Sequence, residues 1–405
     1  MSAADARAYL ASHQVEEKLM EAIRKVTRER PADPVKAIGE LLAAGQGSSL
    51  STLTWNIAAI NNNPFEYWLT HPDAAYDKLM EDVQNFVEAP GDLDVKVGTV
   101  FTPAMFEELD ALMTAQGWEA AEPAAAAYKE LAERTIIAGF LKDADLGSKR
   151  LMSMPDRMTN TIDVAGGGIV YRPTVISSFD GDMSSVDTWW ASWKDFHFTN
   201  KLSLPGKKGA EPTSKLPCEL LTKIPRAKYP ALSEEEEAMS VRLQTICLAI
   251  FDALLVHMLN TLSPGGKWIQ MKRDILEALL HKKTEKTLGV LSASYPTTDV
   301  LFLQEVRTAN PLKESLSASY FCSAPAKPSK ADQNSVIFLL KSKFDETTVS
   351  DVTAKVMEHV PAEGAKISDG DLLVIQAADK SGQKVAHMHP TGGSKPEGGL
   401  ETRAL

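Results

Sequence analysis

Two apolar stretches far apart in the chain decide the fold: STLTWNIAAI at residues 51–60 and DVLFLQEV at residues 299–306. The first has high β-propensity and runs into the turn sequence NNNP. The second is continuously apolar until Gln304 and Glu305, a pattern typical of a strand that is buried on both faces. Ligand sites of open α/β sheets collect at the carboxyl ends of such strands. The sequence therefore predicts two strands and a polar site where the second strand ends.

The combination of Trp-Asn-Ile at residues 55–57 with Leu-Gln-Glu-Val at residues 303–306 resembles the opening of the endonuclease/exonuclease/phosphatase superfamily. This superfamily includes pancreatic deoxyribonuclease and the inositol-phosphate phosphatases. Further segments resemble the helix that leads into the second strand and three later strands: residues 286–295, 333–340, 371–375 and 384–389. The resemblance implies an α/β (α+β) protein with a partial superfamily-type β-sandwich, formed by residues 50–63 and 284–389.

The resemblance also assigns roles at the predicted site. It implies that Glu305 binds Mg²⁺ or Mn²⁺, that Asn56 is its catalytic partner, and that His389 or, as second choice, His387 contacts the phosphate. Gln304 is assigned as a binding residue. The chemistry agrees, because hard cations prefer carboxylate oxygens and an amide can orient a carboxylate or bind a phosphate oxygen. Without the Trp-Asn-Ile motif, the Gln-Glu pair would be interpreted as a strand end that faces solvent.

The chain departs from the superfamily pattern in two ways. Residues 64–283 form a long insertion, and the Gly-Asp-x-Asn and Ser-Asp-His motifs of the second half are not found. We therefore expect a metal-dependent phosphoesterase that is truncated and has reduced or no activity in this chain. The alternatives are a non-catalytic dimeric docking protein with a degenerate phosphoesterase fold, and a helical scaffold with chance motif matches. Half of such a sandwich would leave an apolar sheet face to be covered.

The insertion is predicted to be mainly helical. Thr102 and Pro103 are suited to the N-cap and first position of one helix, and Ser233 to the cap of a long helix that ends near residue 263. The aromatic-rich residues 189–198 include a single basic residue, Lys194, which favours packing against the sheet over stacking on nucleobases. Residues 200–230 are predicted to be an irregular linker, and the Gly/Pro-rich residues 390–405 a disordered tail.

The net charge, the longest apolar run and the cysteines argue against some classes of protein. Lys and Arg number 43 against 54 Asp and Glu, a net charge of −11 that argues against a general nucleic-acid coat. The apolar run at residues 246–259 contains Asp252 and His257 and is shorter than the about 20 residues that a bilayer requires. It predicts a buried core helix and no membrane span. The 3 widely spaced cysteines favour a reducing compartment, so we expect a cytoplasmic protein.

Residues 3–30 and 35–44 are predicted to form two amphipathic helices, separated by the turn sequence RPADP. Two short helices cannot bury their apolar stripes alone, which favours a dimer with a four-helix bundle. Residues 6–44 resemble the docking domains of the dumpy-thirty family. The resemblance implies a docking hairpin over residues 1–46, a homodimer through residues 6–44, a groove for an amphipathic helix of a scaffold protein, and a possible place in a cilium or flagellum. The groove residues are Leu10, Leu19, Ile23, Val35, Ile38, Leu41 and Leu42.

Overall fold

The computed structural model describes residues 15–44, 50–58, 63–66, 68–206, 210–307, 309–326, 334–359, 367, 370–380 and 384–390. The chain forms a mixed α/β protein and divides into two compact units. Of the described residues, those up to 57 and from 290 onward form the sheet unit, and those from 58 to 289 form the helical unit. Each unit is therefore described by itself below.

The strands of the described residues are three to eight residues long, and six of them follow one another from β6 to the end of the described chain. In chain order they are β1 Thr52–Asn56, β2 Thr161–Asp163, β3 Ile169–Tyr171, β4 Leu202–Leu204, β5 Thr213–Lys215, β6 Val300–Val306, β7 Tyr320–Ser323, β8 Asn334–Leu340, β9 Phe344–Asp351, β10 Leu372–Asp379 and β11 Lys384–Pro390.

The helices lie mostly between β1 and β6. They are α1 Val15–Glu29, α2 Pro34–Ala44, α3 Ala75–Glu88, α4 Val97–Val100, α5 Pro103–Ala115, α6 Ala121–Glu133, α7 Ala144–Ser148, α8 Ser153–Thr159, α9 Val186–Phe198, α10 Glu234–Ala238, α11 Ser240–Leu262, α12 Lys267–Leu276, α13 Lys283–Ser294, α14 Asn310–Leu316 and α15 Thr353–Met357. Two π-helical turns, Ile137–Leu141 and Glu277–His281, and two 3₁₀ turns, Gly91–Leu93 and Pro217–Leu220, complete the helical segments described.

The sheet unit contains a four-stranded sheet of order β1-β6-β8-β7 and a three-stranded sheet of order β11-β10-β9. β1 and β6 are parallel, and β6, β8 and β7 are antiparallel to their neighbours. The two sheets share one apolar cluster, to which alternate residues of their strands contribute: Val300, Ile337, Leu339, Phe344, Leu373, Ile375 and Ala377. The sequence left open what covers the apolar sheet face, and the three-stranded sheet covers it. β7 and β9 were not predicted.

The helical unit is built around α11, in which 17 of 23 residues are buried. The expected core helix over residues 246–259 is therefore confirmed and is longer than predicted. Among the residues described, α11 alone is long and apolar enough to span a membrane, but 72% of its apolar window is buried inside the protein. Thr102 caps α5 as predicted, with its side chain accepting a hydrogen bond from the Met105 N–H at 3.3 Å.

Three expectations about the insertion are wrong. The aromatic residues 189–198 lie on α9 and pack into the helical core instead of against a sheet, since α9 contacts α11. The helix capped by Ser233 ends after five residues, because Met239 leaves helical geometry before α11 begins. Residues 200–230 contain the β4–β5 hairpin and a 3₁₀ turn instead of an irregular linker throughout.

The amino-terminal helices α1 and α2 contact each other as a hairpin. The described part of the first helix begins at Val15, and Leu10 lies outside the described residues. Ala22 and Val26 are buried, whereas four apolar side chains of the hairpin are exposed: Leu19, Met20, Ile23 and Val35. The apolar stripes are therefore only partly covered within one chain. The tail predicted over residues 390–405 lies outside the described residues apart from Pro390.

Candidate functional site

The parallel pairing of β1 and β6 brings the two sequence motifs together. Asn56 is in register with Gln304, and the Ile57 N–H donates to the Gln304 carbonyl at 3.1 Å. At the other end of the pair, the Asp299 carboxylate accepts hydrogen bonds from the Ser51 N–H at 2.9 Å and the Ser51 hydroxyl at 3.1 Å. Because both ends are tied, the carboxyl ends of the two strands lie side by side. The expectation that these strands are neighbours is confirmed.

Glu305 occupies a β-bulge. Leu303 pairs with Val336 and Val306 pairs with Asn334, so two residues of β6, Gln304 and Glu305, stand opposite the single residue between those partners. Glu305 has a φ of +52°, a left-handed conformation that costs a non-glycine residue about 1–2 kcal/mol. Bulges of this kind redirect a side chain and are common beside functional sites.

The bulge explains where the two polar side chains of β6 point. In a regular strand, Gln304 and Glu305 would project to opposite faces. Instead both reach β1, because the Gln304 amide donates to the Thr54 hydroxyl at 2.8 Å and the Asn56 amide donates to Glu305 Oε1 at 3.0 Å. Asn56 is exposed and Glu305 is half-buried, so this contact is open to solvent. Gln304 is 9% exposed, and its hydrogen bond to Thr54 links β6 to β1 beside the site.

The predicted histidines lie on β11, at the same end of the sheet unit. β8 begins beside Val306, and the N–H of its second residue, Ser335, donates to the Gly370 carbonyl at 3.0 Å. β10 begins just after Gly370, and its register with β11 puts His389 opposite Leu373 and His387 opposite Ile375. The carboxyl end of β6 and the position of His389 therefore belong to one end of the two sheets, with His387 two positions further in.

The candidate metal site contains one described carboxylate. Glu305 supplies oxygen atoms of the kind that Mg²⁺ prefers, and Asn56 fixes the orientation of this carboxylate. Within the described part of the chain, no group of three or more His, Cys, Asp or Glu side chains is placed to hold a metal ion. The geometry thus offers a single anchoring carboxylate with one polar partner.

A second polar cluster lies in the core of the helical unit, and the sequence analysis did not predict it. Arg172 Nε lies 2.9 Å from Asp252 Oδ2, and both side chains are 0% exposed. The Trp193 indole donates to the same oxygen at 3.0 Å, and Arg172 also pairs with Asp156 at 2.7 Å. Desolvation raises the pKa of Asp252, against the opposing effect of Arg172. The one signal in the sequence was an aspartate within an apolar helical run.

Two further buried basic groups adjoin this cluster. Burial, together with the charge of Arg172, holds the pKa of His197 well below its usual value. Burial lowers the pKa of Lys272 to about 7, and its ammonium group donates to the Thr174 and Phe179 carbonyls at 3.3 and 2.7 Å. Arg172 and Lys272 thus hold the loop at residues 172–179 against α11 and α12 and are suited to a structural role. Among the described residues, neither ring nitrogen of the buried His197 has a hydrogen-bond partner.

Comparison with known proteins gives one match. A family model described as a domain of unknown function, DUF8234, matches residues 94–273. The match lies in the helical unit and contains Arg172, His197, Asp252 and Lys272, whereas Asn56 and Glu305 lie outside it. No curated protein and no solved structure matches the chain. The likeness therefore concerns the inserted segment between β1 and β6, which is similar to that domain.

Proposed function

We propose that the sheet unit is a metal-dependent phosphoesterase domain of the endonuclease/exonuclease/phosphatase type, interrupted by the helical unit. The observation that supports this most is the hydrogen bond between Asn56 and Glu305, which joins residues 249 positions apart at the ends of adjacent parallel strands. If Glu305 were only an exposed residue at a strand end, no bulge would be required to turn its carboxylate toward the Asn56 amide. The two-sheet arrangement of the unit is consistent with a partial sandwich of that type.

In this proposal Glu305 would hold Mg²⁺ or Mn²⁺. When bound, the cation supplies Lewis acidity toward a phosphate oxygen and makes water more acidic. The protein's own residues orient the metal ligand, because the Asn56 amide donates a hydrogen bond to Glu305 Oε1 and keeps the carboxylate facing β1. His389, at the same end of the sheets, would contact the phosphate and stabilise charge that develops on it. We expect hydrolysis to be slow or undetectable, so metal binding is the primary test.

The test compares two glutamates of the sheet unit. Glu346 is exposed on β9, near the end of that strand that pairs with Asp379, and so lies at the opposite end of the sheets. We expect Mn²⁺, measured by electron paramagnetic resonance on the full chain, to bind the wild type and Glu346→Gln equally. Glu305→Gln should weaken binding at least about tenfold, as the loss of a ligand does. Equal binding by all three proteins would overturn the assignment of Glu305.

A slow hydrolytic activity would be detected on bis(p-nitrophenyl) phosphate with Mg²⁺ or Mn²⁺. If it is present, Glu305→Gln should abolish it and Glu346→Gln should leave it unchanged. Turnover that survives Glu305→Gln would contradict the proposed mechanism, because the carboxylate to which the proposal assigns the cation would then be dispensable.

A second function, dimeric docking by the hairpin, is favoured by a separate observation. Leu19, Ile23 and Val35 are 39%, 38% and 79% exposed, whereas Ala22 and Val26 are the buried apolar side chains among those of the hairpin that the structure describes. We propose that a second copy covers this apolar face and that the dimer receives an amphipathic helix of a scaffold protein. This function is compatible with either an active or an inactive sheet unit.

Light scattering after size exclusion tests the dimer. We expect the full chain to have the mass of a dimer and the double variant Leu19→Glu/Ile23→Glu that of a monomer, because two carboxylates would be buried in the interface. Lys25→Glu changes an exposed position of the same helix and should remain dimeric. A monomeric wild type would contradict the docking proposal and leave the metal site untouched.

A further inference from the structure

The bulge at Glu305 is tied down on both sides. Before the bulge, the Gln304 carbonyl accepts a hydrogen bond from the Ile57 N–H of β1 at 3.1 Å. On the other side, the Asn334 side chain donates to the Val306 carbonyl at 2.9 Å and to the Arg307 carbonyl at 3.4 Å. These are the two carbonyls that directly follow Glu305. Asn334 is 5% exposed, so its side-chain amide donates these hydrogen bonds inside the protein, to the backbone that follows the bulge.

Position 334 is the first residue of β8 and the ladder partner of Val306. The next residue, Ser335, stands opposite the bulge and is 0% exposed. Its N–H is directed to the Gly370 carbonyl of the chain entering β10, at 3.0 Å. The start of β8 is therefore fixed to the chain that enters β10 through Ser335. Asn334, the residue before it, in turn fixes the backbone that follows Glu305.

We infer that Asn334 is a positioning residue that keeps Glu305 in its left-handed conformation and thereby aims the carboxylate at Asn56. Its side-chain hydrogen bonds replace ladder contacts that the bulge disrupts, since the extra residue of a bulge interrupts the regular pairing. Without them, the segment after residue 304 can return to regular extended geometry, in which Glu305 points to the other face of the sheet. The consequence for metal binding rests on the proposed function of Glu305, whereas the orientation of Glu305 toward Asn56 does not.

Two measurements on the full chain distinguish the orientation of Glu305 toward Asn56 from its consequence for metal binding. The first follows the side-chain amide of Asn56 by nuclear magnetic resonance with selectively ¹⁵N-labelled asparagine, assigned with Asn56→Ser. In Asn334→Ala, the Asn56 amide signal should shift in the same direction as in Glu305→Ala, because both changes remove the hydrogen bond from the Asn56 amide to Glu305 Oε1. Thr348→Val removes the acceptor of a hydrogen bond between β9 and β10, donated by the Ala378 N–H at 2.8 Å, and should leave the Asn56 signal in place.

The second measurement is Mn²⁺ binding by electron paramagnetic resonance. Removing a residue that orients a metal ligand typically costs about 10–100-fold in affinity, so we expect at least a tenfold loss in Asn334→Ala and none in Thr348→Val. Asn334→Asp keeps the shape of the side chain but lacks the donor, and it should reproduce both effects if Asn334→Ala fails to fold.

The outcomes are distinct. An Asn56 signal that is unchanged in Asn334→Ala and in Asn334→Asp overturns the positioning role, whatever the metal data show. A shifted signal in a protein whose wild type binds no Mn²⁺ supports the positioning role and contradicts the proposed function alone. A shifted signal with unchanged Mn²⁺ affinity overturns the step from orientation to metal binding.

Discussion

The polar cluster of the candidate site and the buried polar cluster around Arg172 have surroundings that differ in kind. In the sheet unit, Asn56 and Glu305 meet at the open ends of two strands, where one partner is exposed. In the helical unit, Arg172 and Asp252 meet with 0% exposure on both sides and with an indole donor on the same oxygen. A buried ion pair is costly to assemble and leaves no access for a ligand, whereas a solvent-open carboxylate remains available. Burial therefore separates the structural cluster from the candidate site.

Breaking the buried pair is the change with the largest expected effect. Asp252→Asn leaves the Arg172 charge without its buried partner, which should lower the free energy of unfolding of the helical unit by about 3–5 kcal/mol. Asp82→Asn is the matched control, because Asp82 pairs with Lys78 at 2.7 Å on the surface, and its loss should cost at most about 0.5 kcal/mol. Urea unfolding followed by tryptophan fluorescence measures both. Similar losses in the two variants would contradict the distinction between the clusters.

The pH dependence of stability sharpens the comparison further. The pKa of Lys272 is lowered to about 7 in the folded protein, from an ordinary value of 10.5. Between these two values the unfolded chain binds more protons at this group than the folded chain, so its contribution to stability rises with pH. The slope is at most about 1.4 kcal/mol per pH unit. Below pH 7 the group is charged in both states, and its contribution is constant and lowest.

Lys272→Met should remove this slope. We expect the stability difference between wild type and Lys272→Met, measured by urea unfolding from pH 6 to pH 10, to shift in favour of the wild type as pH rises above about 7. A difference that is flat over this window would show that Lys272 titrates normally in the folded state. The proposed metal site, which uses carboxylate and imidazole groups of the sheet unit, makes no contribution to this slope.

The smallest expected effect concerns the backbone at Glu305. Its φ of +52° is favourable for glycine and strained for other residues. Glu305→Gly should therefore be more stable than Glu305→Ala by about 1 kcal/mol, although both lack the carboxylate. Thermal unfolding of the two variants measures the difference. If alanine is at least as stable as glycine, the bulge is not held in the left-handed conformation, and the inference about Asn334 loses its basis.

Local patterns in the sequence were sufficient for many individual elements. The apolar runs predicted β6 and the core of α11, whereas β8 and most of α13 were expected from the family resemblance of residues 333–340 and 286–295. Thr102 and Pro103 predicted the start of α5, since capping depends on neighbouring residues only. The aromatic residues of α9 were assigned to the wrong partner, because an apolar helix face does not encode which surface it will cover. β7 and β9 were missed, as short strands with mixed polarity have no strong period.

The candidate site could be predicted in its residues and only in part in its geometry. The motifs identified Asn56 and Glu305 and their strands, but strict alternation along β6 would have pointed Glu305 away from Asn56. The bulge that turns the Glu305 side chain back toward Asn56 depends on Asn334 and on the pairing of β6 with β8. The contact of Gln304 with Thr54 on β1 could not be predicted from the sequence, and its role in binding stays a prediction.

The amino-acid sequence by itself determined the helical and extended segments, their caps and the residue types at the ends of the strands, because these follow from propensity and periodicity within a few residues. Only the tertiary structure decided that a bulge turns Glu305 toward β1, that a second sheet covers the first, and that Asp252 lies opposite Arg172. The physical reason is that hydrophobic burial is non-directional. Which apolar faces meet, and which polar groups are then enclosed or left at an open edge, is settled when the whole chain packs.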